Sequence, residues 1–282
     1  MPANIASDTA GMWILVRVLA LLVLVAAGLL VAGRGELLLD VVDALLAAVG
    51  VDEATPRSEI VLAWPVVAGG VGVGVAVASV RPGYRLVGQV VTLLHEFGHT
   101  VVAAALGARP SGIVLRHDAS GHATARWVGR PTPARRLALA AVAFAGVPAT
   151  AATAAVGAQL LLLVDPEAVL WSFAAVGLTV AVLARSPWSL LIAVGLAGLA
   201  WGALHDAVAP WTVVVVVAML VALAVTATRR DLRALRTPIQ GGDDARVVGR
   251  QLRLPARVVQ LVQIAFAGVL STWTVWLLAT AA

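Results

Sequence analysis

The sequence predicts an all-α polytopic membrane protein of about eight transmembrane helices, with one small β-hairpin placed directly after a helix that carries a metal-binding pattern. Composition is the first observation behind this fold class: of 282 residues, 61% are hydrophobic and 12% charged, with a mean hydropathy of +0.96. Soluble globular domains carry about twice that share of charge. The second is a succession of apolar runs long enough to cross a bilayer, parted by short Pro-, Gly-, Arg- or Asp-containing turns. The third is a His-Glu-x-x-His pentad, His95 to His99, inside one of those runs.

Composition also excludes several classes. Every basic side chain is an arginine, so the net charge of +5 and pI of 11.3 reflect a few charges of one strong type. They cluster between apolar runs, as membrane-flanking charges do, and no nucleic-acid partner is expected. Cysteine is absent, which removes disulfides, thiolate nucleophiles and Cys-ligated zinc sites. Any metal must rest on His and carboxylates.

The apolar run Met12 to Val31 is too long for the core of a cleavable signal peptide, and is expected to be a retained span although Val-Ala-Gly at 31–33 resembles a cleavage site. Acids and leucines alternate in blocks from Gly33 to Glu59, which suggests an amphipathic connector at the interface. A Gly- and Val-rich span follows from Ile60 to Val80, where Gly69, Gly70, Gly72 and Gly74 would let another helix approach closely. Arg81-Pro82-Gly83-Tyr84-Arg85 turns the chain into the motif helix, which Gly107 and Pro110 stop. Gly112–Arg116 and His122–Val128 read as two short strands around a Gly-containing turn. Further spans are expected at Leu137–Val164, Val169–Leu183, Trp188–Leu204, Trp211–Thr226 and Val258–Leu278. The whole is one membrane domain, with 1–85 supplying N-terminal spans and connector and 86–282 the core that carries the pentad.

Charge leaves the orientation open. The arginine-dense segment 229–257 belongs in the cytoplasm by the positive-inside rule, yet simple alternation then puts Arg81 and Arg85 outside. The conflict disappears if the motif helix and hairpin fold back instead of crossing fully. A multi-pass protein of the cell membrane is the expectation either way.

The pentad supplies the chemistry. On a helix, His95 and His99 project from one face and can grip one Zn²⁺, while Glu96 beside them can deprotonate water. Ionisable groups inside a membrane helix are expensive unless paired or functional, and here three fall within one turn and a half. Thr92 lies on the same face one turn earlier.

The pentad within an apolar helix, the glycine inside it, the following hairpin and the later spans resemble the site-2 protease family of intramembrane zinc metallopeptidases, in its compact bacterial branch without a PDZ domain. That resemblance implies one zinc per chain, His95 and His99 as ligands and Glu96 as general base. It also implies a third ligand, usually an aspartate near a later span. Asp244 is the first choice, because Gly-Asp-Asp-Ala at 242–245 is similar to an element of the compact branch. Asp243 is the adjacent alternative and Asp206 the runner-up.

His117, Asp118 and His122 flank the hairpin turn and could add a metal site, but read more simply as surface polar residues. The hairpin's edge at Ile113 to Leu115 is a candidate for pairing with an unwound substrate strand. A peptidase of this type takes a helix-destabilised segment of another membrane protein, since an intact helix offers no free carbonyl. The rival readings are a non-catalytic membrane scaffold of the same fold and a metal or solute transporter using the same histidines.

Overall fold

The computed structural model describes residues 63–127, 132–205 and 210–280. The expected N-terminal span and acidic connector lie outside the described residues. Eight helices and one hairpin are seen: α1 (Trp64–Ser79), α2 (Arg81–Ala105), β1 (Arg109–Leu115), β2 (Gly121–Arg126), α3 (Pro133–Leu163), α4 (Pro166–Leu183), α5 (Pro187–His205), α6 (Pro210–Ala234), α7 (Asp244–Leu252) and α8 (Ala256–Thr280). Helices α3 to α6 each begin with proline, whose fixed φ suits the first turn and whose missing N–H would be unpaired there anyway. Thr132 and Asp165 cap α3 and α4 by accepting from the N–H groups of Arg135 and Ala168.

Five helices are long and apolar enough to cross a membrane: α3, α4, α5, α6 and α8. The expected span at 60–80 and the motif helix are instead the two arms of one bent unit, since α1 and α2 meet at 95°. Neither arm spans by itself. At 16 residues α1 is about 24 Å long against a hydrocarbon core of about 30 Å, and α2 carries two arginines and the pentad. Of the about eight spans expected, seven fall among the described residues, and these become five, or six with the bent pair counted as one. The corner is tight: a Cβ on Gly83 would overlap the carbonyl of Val77.

The core is continuous from α1 through the hairpin to α6. Helix α1 lies along α6, α4 along α5, and α3 is flanked by α2 and α8. Two of the four glycines noted in α1 make the first contact possible, because Gly70 faces Val217 and Gly74 faces Ala218 and Val221, whereas Gly69 and Gly72 face open space. Helix α2 ends as the sequence suggests. Gly107 takes φ 91°, and the N–H groups of Gly107 and Ala108 turn back to Ala104 and Ala103.

The strands pair antiparallel, Ile113 with Ala123 and Leu115 with Gly121, with an irregularity between Pro110 and Gly112. In the turn Asp118 accepts from the N–H and hydroxyl of Ser120, which holds its carboxyl below the usual range. The turn is pinned to α2, where Gln89 donates to the carbonyl of His117 and Thr92 to that of Ala119.

The α1–α6 contact predicts unequal effects of one substitution at two glycines. Gly74→Leu would set a Cβ 2.5 Å from the carbonyl oxygen of Ala218 and should destabilise by ~1–3 kcal/mol. Gly72→Leu should be near neutral, as thermal unfolding in detergent would show.

Candidate metal centre

Helical spacing brings the two imidazoles of α2 together, with ring centroids 4.8 Å apart and planes nearly perpendicular. A third group comes from 145 residues downstream in the chain. Asp244 opens α7, a nine-residue amphipathic helix that seats Ala245 and Val248 against Ala140 and Ala143 of α3 and Val259 of α8. Docked this way, α7 delivers the Asp244 carboxylate to the histidines: Oδ2 is 3.0 Å from His95 Nε2 and 3.3 Å from His99 Nε2, and the two Nε2 atoms are 3.2 Å apart.

The triangle has the size a metal would set. Ligand atoms about 2.0–2.1 Å from a tetrahedral Zn²⁺ lie about 3.3–3.4 Å from one another. Its chemistry fits as well. His99 Nδ1 lies 2.6 Å from the carbonyl oxygen of Val142, an acceptor only, so Nδ1 carries a proton and a neutral ring would present its lone pair at Nε2. Converging lone pairs and a carboxylate oxygen need a cation or a shared proton between them.

Sequence reasoning missed the residues that make room for this cluster. Gly146 of α3 faces both imidazoles, and a Cβ there would overlap the ring of His99 and lie 2.7 Å from His95 Nε2. Gly98 likewise meets Ala149 so closely that a Cβ would overlap it. Small residues on both helices thus set the α2–α3 separation. Pro148 lacks the N–H that would serve the carbonyl of Phe144, and Gln263 of α8 donates to that carbonyl and to Ala143's, one and two residues past Val142. Only tertiary contact reveals these roles, although a glycine and a proline within four residues of a membrane helix are a signal that something packs there.

The remaining candidates separate clearly. Glu96 is buried, 5% exposed, on the flank of α2 beside His95 and His99. Asp243 turns away, accepting from the N–H of Gln240, and Asp206 lies outside the described residues. His117 stacks on Trp188 and Asp118 is engaged with Ser120, so neither joins the cluster. Among the described residues His95, His99 and Asp244 are the one group of three or more that could hold a metal, and His122 is not in it.

The proposed substrate edge on β1 is occupied. Ile113 accepts from the N–H of Arg185 and the hydroxyl of Ser189, Leu115 N–H donates to Ser189, and Leu115 C=O accepts from Ser186. The segment before α5 has taken the place of an added strand. Pairing of a substrate at Ile113 to Leu115 is therefore ruled out in this arrangement. The outward N–H and C=O groups of Ala123 and Ala125 on β2, which alternate with those facing β1, have no partner among the hydrogen bonds of the described residues.

The chain matches the family model described as Peptidase M50B-like over residues 66–274, a stretch that takes in α2, the hairpin and α7. No curated protein and no solved structure matches it. With the family match spanning most of the sequence and five apolar helices around a His–His–Asp cluster, the chain belongs to the M50B-like peptidases, membrane metallopeptidases of the site-2 protease type.

Proposed function

We propose that the protein is a zinc-dependent intramembrane endopeptidase of the cell membrane that hydrolyses a peptide bond in or near a transmembrane segment of another membrane protein, with its catalytic core in 86–282. The observation that carries this reading is the convergence of His95, His99 and Asp244 within 3.0–3.3 Å beside a buried glutamate. Two neutral imidazoles and one carboxylate would hold one Zn²⁺ and leave a fourth position open. When bound, the ion supplies Lewis-acid polarisation of a carbonyl and acidifies water beside it.

The chain's own residues do the rest. Val142 fixes the tautomer and aim of His99 by accepting its Nδ1–H. Asp244 offsets part of the dication's charge. Glu96 takes the proton from the attacking water and passes it to the leaving amine. Substrate backbone must be unwound before attack, because a membrane helix hides its carbonyls in its own hydrogen bonds. The open edge of β2 suits such a strand, offering outward groups at Ala123 and Ala125.

Zinc content and peptidase activity of the detergent-purified chain test this reading together. Wild type and Glu96→Gln should each hold one zinc, with turnover falling by about 10²–10⁴-fold in the variant. His95→Ala and Asp244→Ala should lose the metal. A Glu96→Gln protein that keeps full turnover would sink the mechanism, and a metal-replete wild type with no zinc would favour a scaffold.

Gly146→Ala should lower zinc affinity by about 10–100-fold, the scale of a displaced supporting group. At the hairpin, Ala123→Pro removes an outward N–H without touching the β1–β2 ladder. It should reduce cleavage while zinc stays bound; unchanged cleavage would remove β2 from the substrate path.

A further inference from the structure

The first turn of α2 and the C-terminal turns of α6, with Arg236 just beyond, hold Arg81, Arg85, Arg229, Arg230, Arg233 and Arg236 against a single acid, Asp231. Among the described residues the ion contacts are those of Asp244 with the two histidines, so none of these arginines is paired with a carboxylate. Two of them hold the α1–α2 corner. Arg229 donates to the carbonyl of Ala78 and Arg233 to the Tyr84 hydroxyl, and both guanidinium groups lie over the Tyr84 ring.

Arg230 reaches past that corner to the hydroxyl of Thr92 on the pentad helix, 2.7 Å away. Thr92 is 1% exposed and gives its own proton to the backbone carbonyls of Gly88 and Ala119, so it meets the guanidinium with a lone pair. A neutral acceptor therefore aims the cation without cancelling its charge. The other N–H donors of Arg230 have no partner among the described residues. Asp231 follows it in sequence, but successive helical residues project about 100° apart and no ion pair joins the two.

The place of Thr92 gives this cation its meaning. At 3.6 residues per turn, Thr92 projects between His95, about 60° to one side, and Glu96, about 40° to the other. Arg230 is thus bonded at the reactive face of α2, about 6 Å before Glu96 along the helix axis. The start of β2 meets the same point, since a Cβ on Gly121 would lie 3.0 Å from Thr92 Cγ2. A half-buried, unpaired guanidinium stands where the pentad adjoins the strand offered to substrate. Such a charge inside a membrane domain is costly until a counter-charge arrives.

We propose that Arg230 is a specificity-determining residue, which pairs with an aspartate or glutamate of the substrate segment close to the bond that is cut. An extended segment advances about 3.3 Å per residue, so an interval of about 6 Å sets the acid about two residues from the scissile carbonyl. The neighbouring arginines draw an acidic segment to this end, and the free N–H groups of Arg230 fit a carboxylate. The assignment takes its substrate from the peptidase reading, and binding is measured apart from turnover so that the two can fail separately.

Fluorescent transmembrane peptides differing only by Asp or Asn, scanned over three residues on either side of a helix-destabilised bond, are titrated into full-length, zinc-loaded Glu96→Gln protein in detergent. The same peptides are digested with wild type. At one position or more, Asp should bind about 10–100-fold more tightly than Asn, the worth of a hydrogen bond to a charged group. Adding Arg230→Gln should bring that ratio to about one, and Arg230→Glu should favour Lys at the same position, an inversion that a purely structural role does not produce. Arg236→Gln removes an equal charge nearby and should keep the ratio. Equal binding of Asp and Asn peptides at every position, or no binding, would overturn the assignment whatever the variants do. So would a ratio that survives Arg230→Gln or vanishes in Arg236→Gln. Acid-selective binding through Arg230 without any cleavage would uphold the assignment and remove the peptidase, whereas cleavage without acid preference would do the reverse.

Discussion

The close approach of α2 and α3 is the constraint on which the site depends. Two imidazoles need width, yet the helices that carry and cover them are close enough for Gly98 to touch Ala149. The resolution is local: Gly146 faces the rings with no side chain of its own, and its neighbour Val142 accepts the Nδ1–H of His99. A methyl group at 146 would push the imidazoles aside. A wider helix separation would break the Val142 contact and draw α7, which leans on Ala140 and Ala143, away with α3. Small residues on α3 thus decide where His95, His99 and Asp244 lie.

Membrane burial gives the same arrangement its energetic character. A charged group near the middle of a bilayer costs about 2.5–3.5 kcal/mol on insertion scales, so an unmatched carboxylate among histidines is poorly tolerated. Asp244 avoids a membrane helix altogether by sitting at the start of the short amphipathic α7, outside the five apolar spans. The hairpin is handled in the same spirit. Its β1 edge would leave polar backbone groups unpaired, and Ser186, Ser189 and Arg185 satisfy them. The outward groups of Ala123 and Ala125 on the β2 edge have no such cover among the described residues.

Local chemistry was readable from residues alone. The pentad, the Gly107 stop, the hairpin and the long spans α3 to α6 and α8 follow from spacing, hydropathy and turn residues within short windows. Asp244 came from its likeness to a family element, and the convergence with the histidines could not be read from charge or pattern. Tertiary relations were opaque. Arg81-Pro82-Gly83 signals a turn, but only packing of α1 on α6 bends it by 95° and merges two expected spans into one unit. The partners of β1 lie more than 70 residues away, and Gly146 resembles any other membrane glycine until α2 is laid against it.

The central claim is that His95, His99 and Asp244 form one tetrahedral metal site. X-ray absorption at the zinc edge of the purified, zinc-loaded protein tests it most directly. The account predicts about four nitrogen and oxygen neighbours near 2.0–2.1 Å, with outer-shell scattering from two imidazoles, and loss of the zinc signal in His99→Ala. A shell of six oxygens without imidazole scattering, or a spectrum unchanged in His99→Ala, would contradict it.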